Sequence, residues 1–218
     1  MAQLLPPSFL FAPILDAAKL NTWPKSATGE LWEELTAIPG LSAMDEGKPR
    51  IEVRLGWHAE GLLVGVQACE KAEPPRAEPL YHENDDRFVI GIDTRDTKTI
   101  HRAGRFCHRF HLTPCDEDGE LDPSLSAEVI PRATEDAPLA SFTSADIAAE
   151  RTDDGYRIVA RLRAASLNGY DPEFSDRIGL HVELSDREHG SVPILGDARM
   201  SNAADPSLWA SVRFVSEK

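Results

Sequence analysis

The chain has 218 residues, with 23 lysines and arginines against 37 aspartates and glutamates, so its formal net charge is −14. This acidic balance argues against binding to nucleic acid, because a phosphate-binding surface needs dense Lys and Arg. It also argues against docking on anionic membranes. Hydrophobic residues make up 41% of the chain and charged residues 28%, which is typical of a globular protein.

Residues 1–49 are predicted to form an arm and a short helix that pack on the main domain. Prolines interrupt residues 1–25, whose apolar groups are expected to lie against that domain. Residues 29–38 (GELWEELTAI) carry apolar side chains at helical spacing, which predicts an amphipathic helix. The first basic residue, Lys19, follows the apolar runs, whereas a secretory signal has its positive charge before them. We therefore expect a cytoplasmic protein.

From residue 51 onward, apolar residues alternate with polar ones, which predicts β-strands. Residues 51–57 and 62–68 flank the turn His58-Ala59-Glu60-Gly61 and are expected to form a hairpin. Further strands are predicted over residues 88–92, 105–112, 126–131, 145–151, 156–163, 178–184 and 208–215. Short strands separated by turns, with almost no helix, predict an all-β domain over residues 50–218. We expect an antiparallel β-sandwich with jelly-roll or immunoglobulin-like layers.

The sequence contains no recognised catalytic motif. The phosphate-binding patterns G-x-x-x-x-G-K-[ST] and G-x-G-x-x-G are missing, and so is the nucleophile pattern G-x-S-x-G. We therefore expect a non-catalytic protein. Cys69, Cys107 and Cys115 match no zinc-ribbon spacing and are expected to be reduced thiols.

Residues 93–111 (DTRDTKTIHRAGRFCHRFH) form the most polar segment, and three interpretations of it remain open. His101, Cys107 and His111 are candidate metal ligands, since the last two share a strand face, although their spacing matches no recurring zinc pattern. The arginines of the segment are candidates for an anion or sugar-acid pocket. Alternatively, they balance nearby carboxylates within the fold. These arginines are Arg95, Arg102, Arg105 and Arg109.

Acidic and aromatic residues outside this segment suggest further sites. Asp85 and Asp86 are adjacent at a strand entry, where they suit a turn, a catalytic pair or calcium coordination, so calcium stays open as a cofactor. Aromatic rings with a polar tip suit partly exposed positions, where the ring can stack on a sugar face. Tyr81, in a loop bounded by proline, and Trp209, at a loop-to-strand junction, are the candidates for such stacking, whereas Trp57 is expected in the core.

Five runs in order resemble the carbohydrate-binding module family nine and the wider DOMON-like sandwiches. They are VRLGWHAEGLLVGVQA, DDRFVIGID, DGYRIVARLR, RIGLHVELSD and DPSLWASVRF. The resemblance covers residues 50–218 and implies a non-catalytic β-sandwich that binds sugars. In sugar-binding members, one tryptophan precedes the strand that begins with Asp, and another precedes the D-P-S element. The nearest positions here are residues 81–83, which offer a tyrosine, and residues 203–204, which are alanines.

The leading functional hypothesis is a carbohydrate-binding-module-like domain that binds a sugar or another small polar ligand. Its expected ligand-binding residues are Tyr81, Asp86, Arg105, Arg109 and Trp209. A structural or protein-interaction domain without a small ligand is the second hypothesis, because the tryptophan clamp is missing. A metal-binding protein that uses residues 93–111 is the third.

Overall fold

The computed structural model describes residues 14–39, 50–77, 85–193 and 203–216, and within them the chain forms twelve β-strands. The strands are β1 (Ile14–Lys19), β2 (Thr36–Ile38), β3 (Ile51–His58), β4 (Gly61–Ala68), β5 (Arg87–Asp93), β6 (Cys107–Thr113), β7 (Ser124–Glu128), β8 (Ile147–Thr152), β9 (Gly155–Arg163), β10 (Arg177–Asp186), β11 (Gly190–Pro193) and β12 (Ala210–Val215). Short 3-10 helices cover Gly29–Glu34, Ser144–Asp146, Ala164–Ser166 and Pro206–Leu208. The prediction of an all-β fold is confirmed.

The strands follow the order β7-β6-β5-β10-β12-β1-β3-β4-β9-β8, with β11 beside β10 and β2 beside β3. The first five strands of this order form one layer, and β3, β4, β9 and β8 form the other. Strand β1 joins the layers, because it pairs with both β12 and β3. Both of these pairings are parallel, whereas every other strand pair is antiparallel among the described residues.

The hairpin predicted from residues 51–68 is present as β3 and β4. Its turn ends at Gly61, whose φ is +146°, a backbone conformation that residues other than glycine rarely adopt. A Cβ atom there would also lie 2.2 Å from the carbonyl oxygen of Leu162. Glycine is therefore required where β4 begins beside β9.

The core lies between the two layers and is filled by alternate residues of their strands. Phe88, Phe110 and Tyr156 are its largest fully buried side chains. Trp57 is also in the core, as predicted: it is 9% exposed, and its indole Nε1 donates to the carbonyl oxygen of Val215 at 3.0 Å. The apolar alternation in the sequence therefore identified the inward-facing residues.

The N-terminal segment contributes more to the sandwich than the sequence predicted. The helix expected over residues 29–38 is wrong in type and length, since a 3-10 helix ends at Glu34 and β2 follows it. Residues 14–19, expected in an arm, form β1 inside the sheet. The sequence concealed β1 because alanine, which has low strand propensity, occupies its buried centre. No described helix is long and apolar enough to span a membrane.

Candidate functional site

One face of the β7-β6-β5-β10 layer points away from the core and carries mostly polar side chains. Phe88, Ile90 and Ile92 of β5 belong to the core, so the residues that alternate with them point outward. The same argument applies to the neighbouring strands. The outward residues are Arg87, Val89, Gly91 and Asp93 on β5; Cys107, Arg109, His111 and Thr113 on β6; Ser124, Ser126 and Glu128 on β7; and His181, Glu183 and Ser185 on β10.

The strand register arranges these outward residues in rows across the layer. Ser126, His111, Val89 and Glu183 form one row, and Glu128, Arg109, Gly91 and His181 form the next. Neighbouring strands in a sheet lie about 4.8 Å apart. Each row therefore brings residues of four strands within roughly 15 Å.

Trp209 covers the second row at its centre. Its ring lies over Gly91, where a Cβ atom would meet two indole carbons at 2.9 Å, and it stacks on His181 with the ring centroids 6.2 Å apart. Trp209 is 3% exposed and packs in a cluster with Cys107 and Ile130. This part of the outward face is consequently closed to solvent.

The other part of the outward face opens into a cleft of about 380 Å³. Its floor is formed by outward side chains of β5, β6 and β7, and residues of the loop between β6 and β7 form a wall. The lining residues are Ala77, Asp85, Arg87, His111, Thr113, Cys115, Asp116, Glu117, Asp118, Asp122, Ser124 and Ser126. The cleft therefore offers hydroxyl groups, carboxylates, a guanidinium and an imidazole to a ligand.

Hydrogen bonds hold the polar groups of the face in place. His111 Nε2 lies 2.5 Å from Glu128 Oε2, and burial, together with the nearby Arg109 and Arg87, lowers the pKa of His111 although Glu128 raises it. His181 Nε2 lies 3.3 Å from Glu183 Oε2, and the hydroxyl of Ser191 donates to the other oxygen of Glu183 at 2.5 Å. Burial disfavours the charged form of Glu183, but these contacts hold its pKa below its usual value. The carboxylates therefore keep the imidazoles oriented.

The side chains of Asp85 and Asp86 lie in different environments, because successive side chains of an extended chain point in opposite directions. Asp85 lines the cleft, whereas Asp86 is 1% exposed and lies beside Lys71. The Lys71 ammonium lies 3.0 Å from Asp86 Oδ1, 2.7 Å from Asp186 Oδ2 and 3.2 Å from Glu188 Oε1. We call these four residues the Lys71 cluster. Asp86 is thus engaged with Lys71, while Asp85 lines the cleft.

The Lys71 cluster bears on the calcium interpretation of Asp86. Burial and the neighbouring Asp186 raise the pKa of Asp86, while hydrogen bonds from Asp86 and Lys71 offset burial and lower the pKa of Asp186. The Lys71 ammonium therefore gives these carboxylates a counter-charge from within the protein, which is the charge that a calcium ion would supply.

The candidate metal ligands are not brought together. His101 Nδ1 lies on the surface, 3.2 Å from Asp205 Oδ2, while Cys107 is buried under Trp209 and His111 faces Glu128. Burial raises the pKa of the Cys107 thiol to about 11, which disfavours the thiolate that binds metals. Among the described ranges, no three His, Cys, Asp or Glu residues are arranged to hold a metal ion.

The five residues expected to bind ligand are dispersed. Arg109 lies on the outward face next to His111, and Trp209 lies on the same face but is buried. Asp86 is inside the Lys71 cluster. Arg105 lies outside β6, with its guanidinium 5.0 Å from the ring centre of Phe106 and 3.9 Å from Glu135. Tyr81 lies outside the described residues.

Sequence reasoning missed several groups of the face and the cleft. Ser124 and Ser126 fall in a strand that was predicted only from residue 126, and His181 and Glu183 alternate with the apolar residues of β10. Ser124 would have been found by beginning the predicted strand two residues earlier, and the other three by marking the polar positions of the period-two pattern. Which strands lie next to one another in this layer was not visible in the sequence.

Solved structures that resemble this chain include family 9 carbohydrate-binding modules. One from Caldicellulosiruptor kristjanssonii in complex with cellotriose is 12% identical, covers 94% of this chain and 95% of its own, and has a TM-score of 0.60. A complex of a family 9 module from the same organism with glucose has a TM-score of 0.58 at 12% identity, with 94% and 97% covered.

A proposed carbohydrate-binding protein from Bacteroides uniformis is also similar. It has a TM-score of 0.53 at 10% identity, with 92% of this chain and 98% of that chain covered. No family model matches the sequence, and no curated protein matches it either. The fold is that of the family 9 carbohydrate-binding modules, as the sequence resemblance predicted. The resemblance to DOMON-like sandwiches stays a prediction.

Proposed function

We propose that this protein is a non-catalytic carbohydrate-binding domain and that the cleft on the outward face of β5, β6 and β7 is its sugar site. The observation that carries the proposal is the polar floor of the cleft, where Arg87, His111 and Ser126 from three adjacent strands point to one space. Sugar hydroxyls both donate and accept hydrogen bonds, so a site for them needs donors and acceptors together. The likeness of the fold to modules solved with cellotriose and glucose supports the same function.

The rigidity of the floor also favours ligand binding. Its side chains stand on paired strands, and His111 is held by Glu128. A site whose polar groups are already oriented loses less conformational entropy when a ligand binds. Tyr81, which precedes β5 in the sequence, remains our candidate for the aromatic platform of this site, and Arg109 for a neighbouring donor.

Calorimetry with glucose and cellotriose tests the proposal. We expect binding to the wild-type protein and, for Arg87→Ala, a loss of about tenfold in affinity or more, because a charge-assisted hydrogen bond contributes roughly 1.5–3 kcal/mol. Arg213→Ala is the matched control, since Arg213 lies outside the cleft and pairs with Asp16. The proposal fails if neither sugar binds, or if Arg87→Ala and Arg213→Ala bind as the wild type does.

A further inference from the structure

The cleft on the outward face of β5, β6 and β7 carries an excess of negative charge. Its described lining residues include five carboxylates and one guanidinium group, that of Arg87. Burial, together with Arg109 and Arg87, lowers the pKa of His111, so this imidazole adds no full positive charge near neutral pH. The five carboxylates are those of Asp85, Asp116, Glu117, Asp118 and Asp122. A cleft lined in this way concentrates cations and disfavours anions.

Three of these carboxylates are open to a ligand. Glu117, Asp118 and Asp122 are exposed residues of the loop between β6 and β7. Within the described part of the chain, their carboxylates make no hydrogen bond or ion pair. The wall of the cleft therefore presents negative charge that the fold does not neutralise by direct contact.

The same loop is held in shape by contacts to its backbone. Arg76 Nε donates to the carbonyl oxygen of Glu117 and Arg151 Nη2 to that of Gly119, both at 2.8 Å. Asp116 Oδ1 accepts two amides of the loop at 3.0 and 2.9 Å. Even with these two arginines counted, five carboxylates face three guanidinium groups. The loop therefore keeps its negative charge, and its shape is set before a ligand binds, which lowers the entropic cost of binding.

The carboxylates of the cleft suit an organic cation better than a metal ion. Calcium needs six to eight oxygen ligands around one point. Among the residues that the structure describes, no three His, Cys, Asp or Glu side chains converge in that way. An ammonium group has three donors and is satisfied by one or two carboxylates and a hydroxyl group at hydrogen-bonding distance. The spacing of the carboxylates therefore favours an amine as the charged group of the ligand.

The floor of the cleft offers hydroxyl groups beside this charge. Thr113, Ser124 and Ser126 line it, and the hydroxyls of the first two lie 2.5 Å apart. Hydroxyl groups both donate and accept hydrogen bonds, so they match the hydroxyls of a sugar. The volume of about 380 Å³ is at the small end of ligand pockets and suits a single sugar ring. A ligand that fits floor and wall together carries hydroxyl groups and a positive charge.

We infer that the cleft prefers an amino sugar with a free amine, whose ammonium lies against the carboxylates of the loop between β6 and β7. This inference rests on the proposed function of the cleft and adds to it the charge of the sugar. Glucosamine and glucose are the matched probes, because they differ only in an ammonium group in place of one hydroxyl group.

Amide shifts in two-dimensional NMR spectra of the wild-type protein test the inference, at a pH at which the amine of glucosamine is protonated. We expect both sugars to shift amides of residues 111–126, and glucosamine to bind about fivefold more tightly or better, because hydrogen bonds to charged groups are stronger than neutral ones. Added salt should weaken glucosamine but not glucose, since salt screens only the charged ligand. N-acetylglucosamine, whose nitrogen is uncharged, should bind no more tightly than glucose.

The variant Glu117→Gln/Asp118→Asn/Asp122→Asn removes the open carboxylates and should abolish the preference for glucosamine over glucose. Asp122→Asn alone should reduce this preference about two- to fivefold, in line with the small contribution of one exposed carboxylate. The single variant also serves if the triple variant does not fold.

The matched control is Glu34→Gln/Asp136→Asn/Glu173→Gln. It changes the net charge by the same amount, but its three exposed residues lie outside the lining of the cleft. We expect it to keep the preference of the wild type. A control variant that loses the preference as the cleft variant does would assign it to the net charge of the protein and overturn the inference.

The remaining outcomes separate this inference from the proposed function. If glucose binds in the cleft and glucosamine binds no more tightly, the inference fails and the proposed function stands. If neither sugar shifts the amides of the cleft, both fail. Choline chloride that binds there as tightly as glucosamine would show attraction of any cation. Calcium chloride that shifts the same amides at lower concentrations than glucosamine would show a metal site, and either result would overturn the inference.

Discussion

At the scale of single residues, the Lys71 cluster shows how one side chain determines what its neighbours can do. The Lys71 side chain is 2% exposed, and its ammonium lies within 3.2 Å of three carboxylates, which come from the residue before β5, from β10 and from the turn after β10. The carboxylates in turn accept backbone hydrogen bonds, such as that from the amide of Arg76 to Asp86 Oδ2 at 2.8 Å. The cluster therefore fastens the loop after β4 to the opposite layer.

Lys71→Met is expected to destabilise the protein by about 3–5 kcal/mol at neutral pH, since it leaves buried carboxylates without their counter-charge. Urea unfolding followed by circular dichroism measures this loss. Lys19→Met is the control: Lys19 is exposed beside Trp57, and its loss should change the free energy of unfolding by no more than about 1 kcal/mol. A loss below that value for Lys71→Met would show that the cluster does not stabilise the fold.

At the scale of elements, the outward face depends on the fit between Trp209 and two strands. The indole fits against β5 only because residue 91 has no side chain, and it covers His181 of β10 at the same time. The segment before β12 thus closes one part of the face and leaves the cleft as the open part.

Gly91→Ala tests this packing. Its Cβ would lie 2.9 Å from two ring carbons, so the indole must move, and we expect a loss of about 1–3 kcal/mol together with a change in tryptophan fluorescence. Gly104→Ala is the matched control, because the nearest atom to its Cβ is 3.8 Å away. If both variants are equally stable and fluoresce alike, Trp209 does not need the space above Gly91.

At the scale of the whole molecule, β1 connects the two layers through parallel pairing with β12 and β3. Its residues alternate between the core and solvent: Ala17 is fully buried, and Asp16 pairs with Arg213 on the surface. The N-terminal segment is thus part of the sandwich and not an addition to it.

Ala17→Asp should destabilise the protein by about 3 kcal/mol or more, because it buries a carboxylate without a partner. Asp16→Ala, one residue away and on the opposite face, should cost at most about 1 kcal/mol, since exposed ion pairs contribute little. Urea unfolding of the two variants measures the difference. Equal losses would mean that β1 does not occupy the central position described.

The sequence by itself predicted the strands from β3 onward except β11, because alternation of apolar and polar residues reports directly which face of a strand is buried. It also identified Trp57 as a core residue and the resemblance to family 9 modules. It did not reveal β1, whose alanines give a weak strand signal.

Only the tertiary structure decided which polar groups act together. Asp86 is adjacent to Asp85 in the chain, yet it contacts Lys71 while Asp85 lines the cleft. Arg109 lies on the outward face of β6, whereas Arg105 lies outside that strand beside Phe106. The physical reason is that strand pairing brings together residues that are distant in sequence. The alternation of apolar and polar residues shows which face of a strand is buried, but not which strands lie next to it.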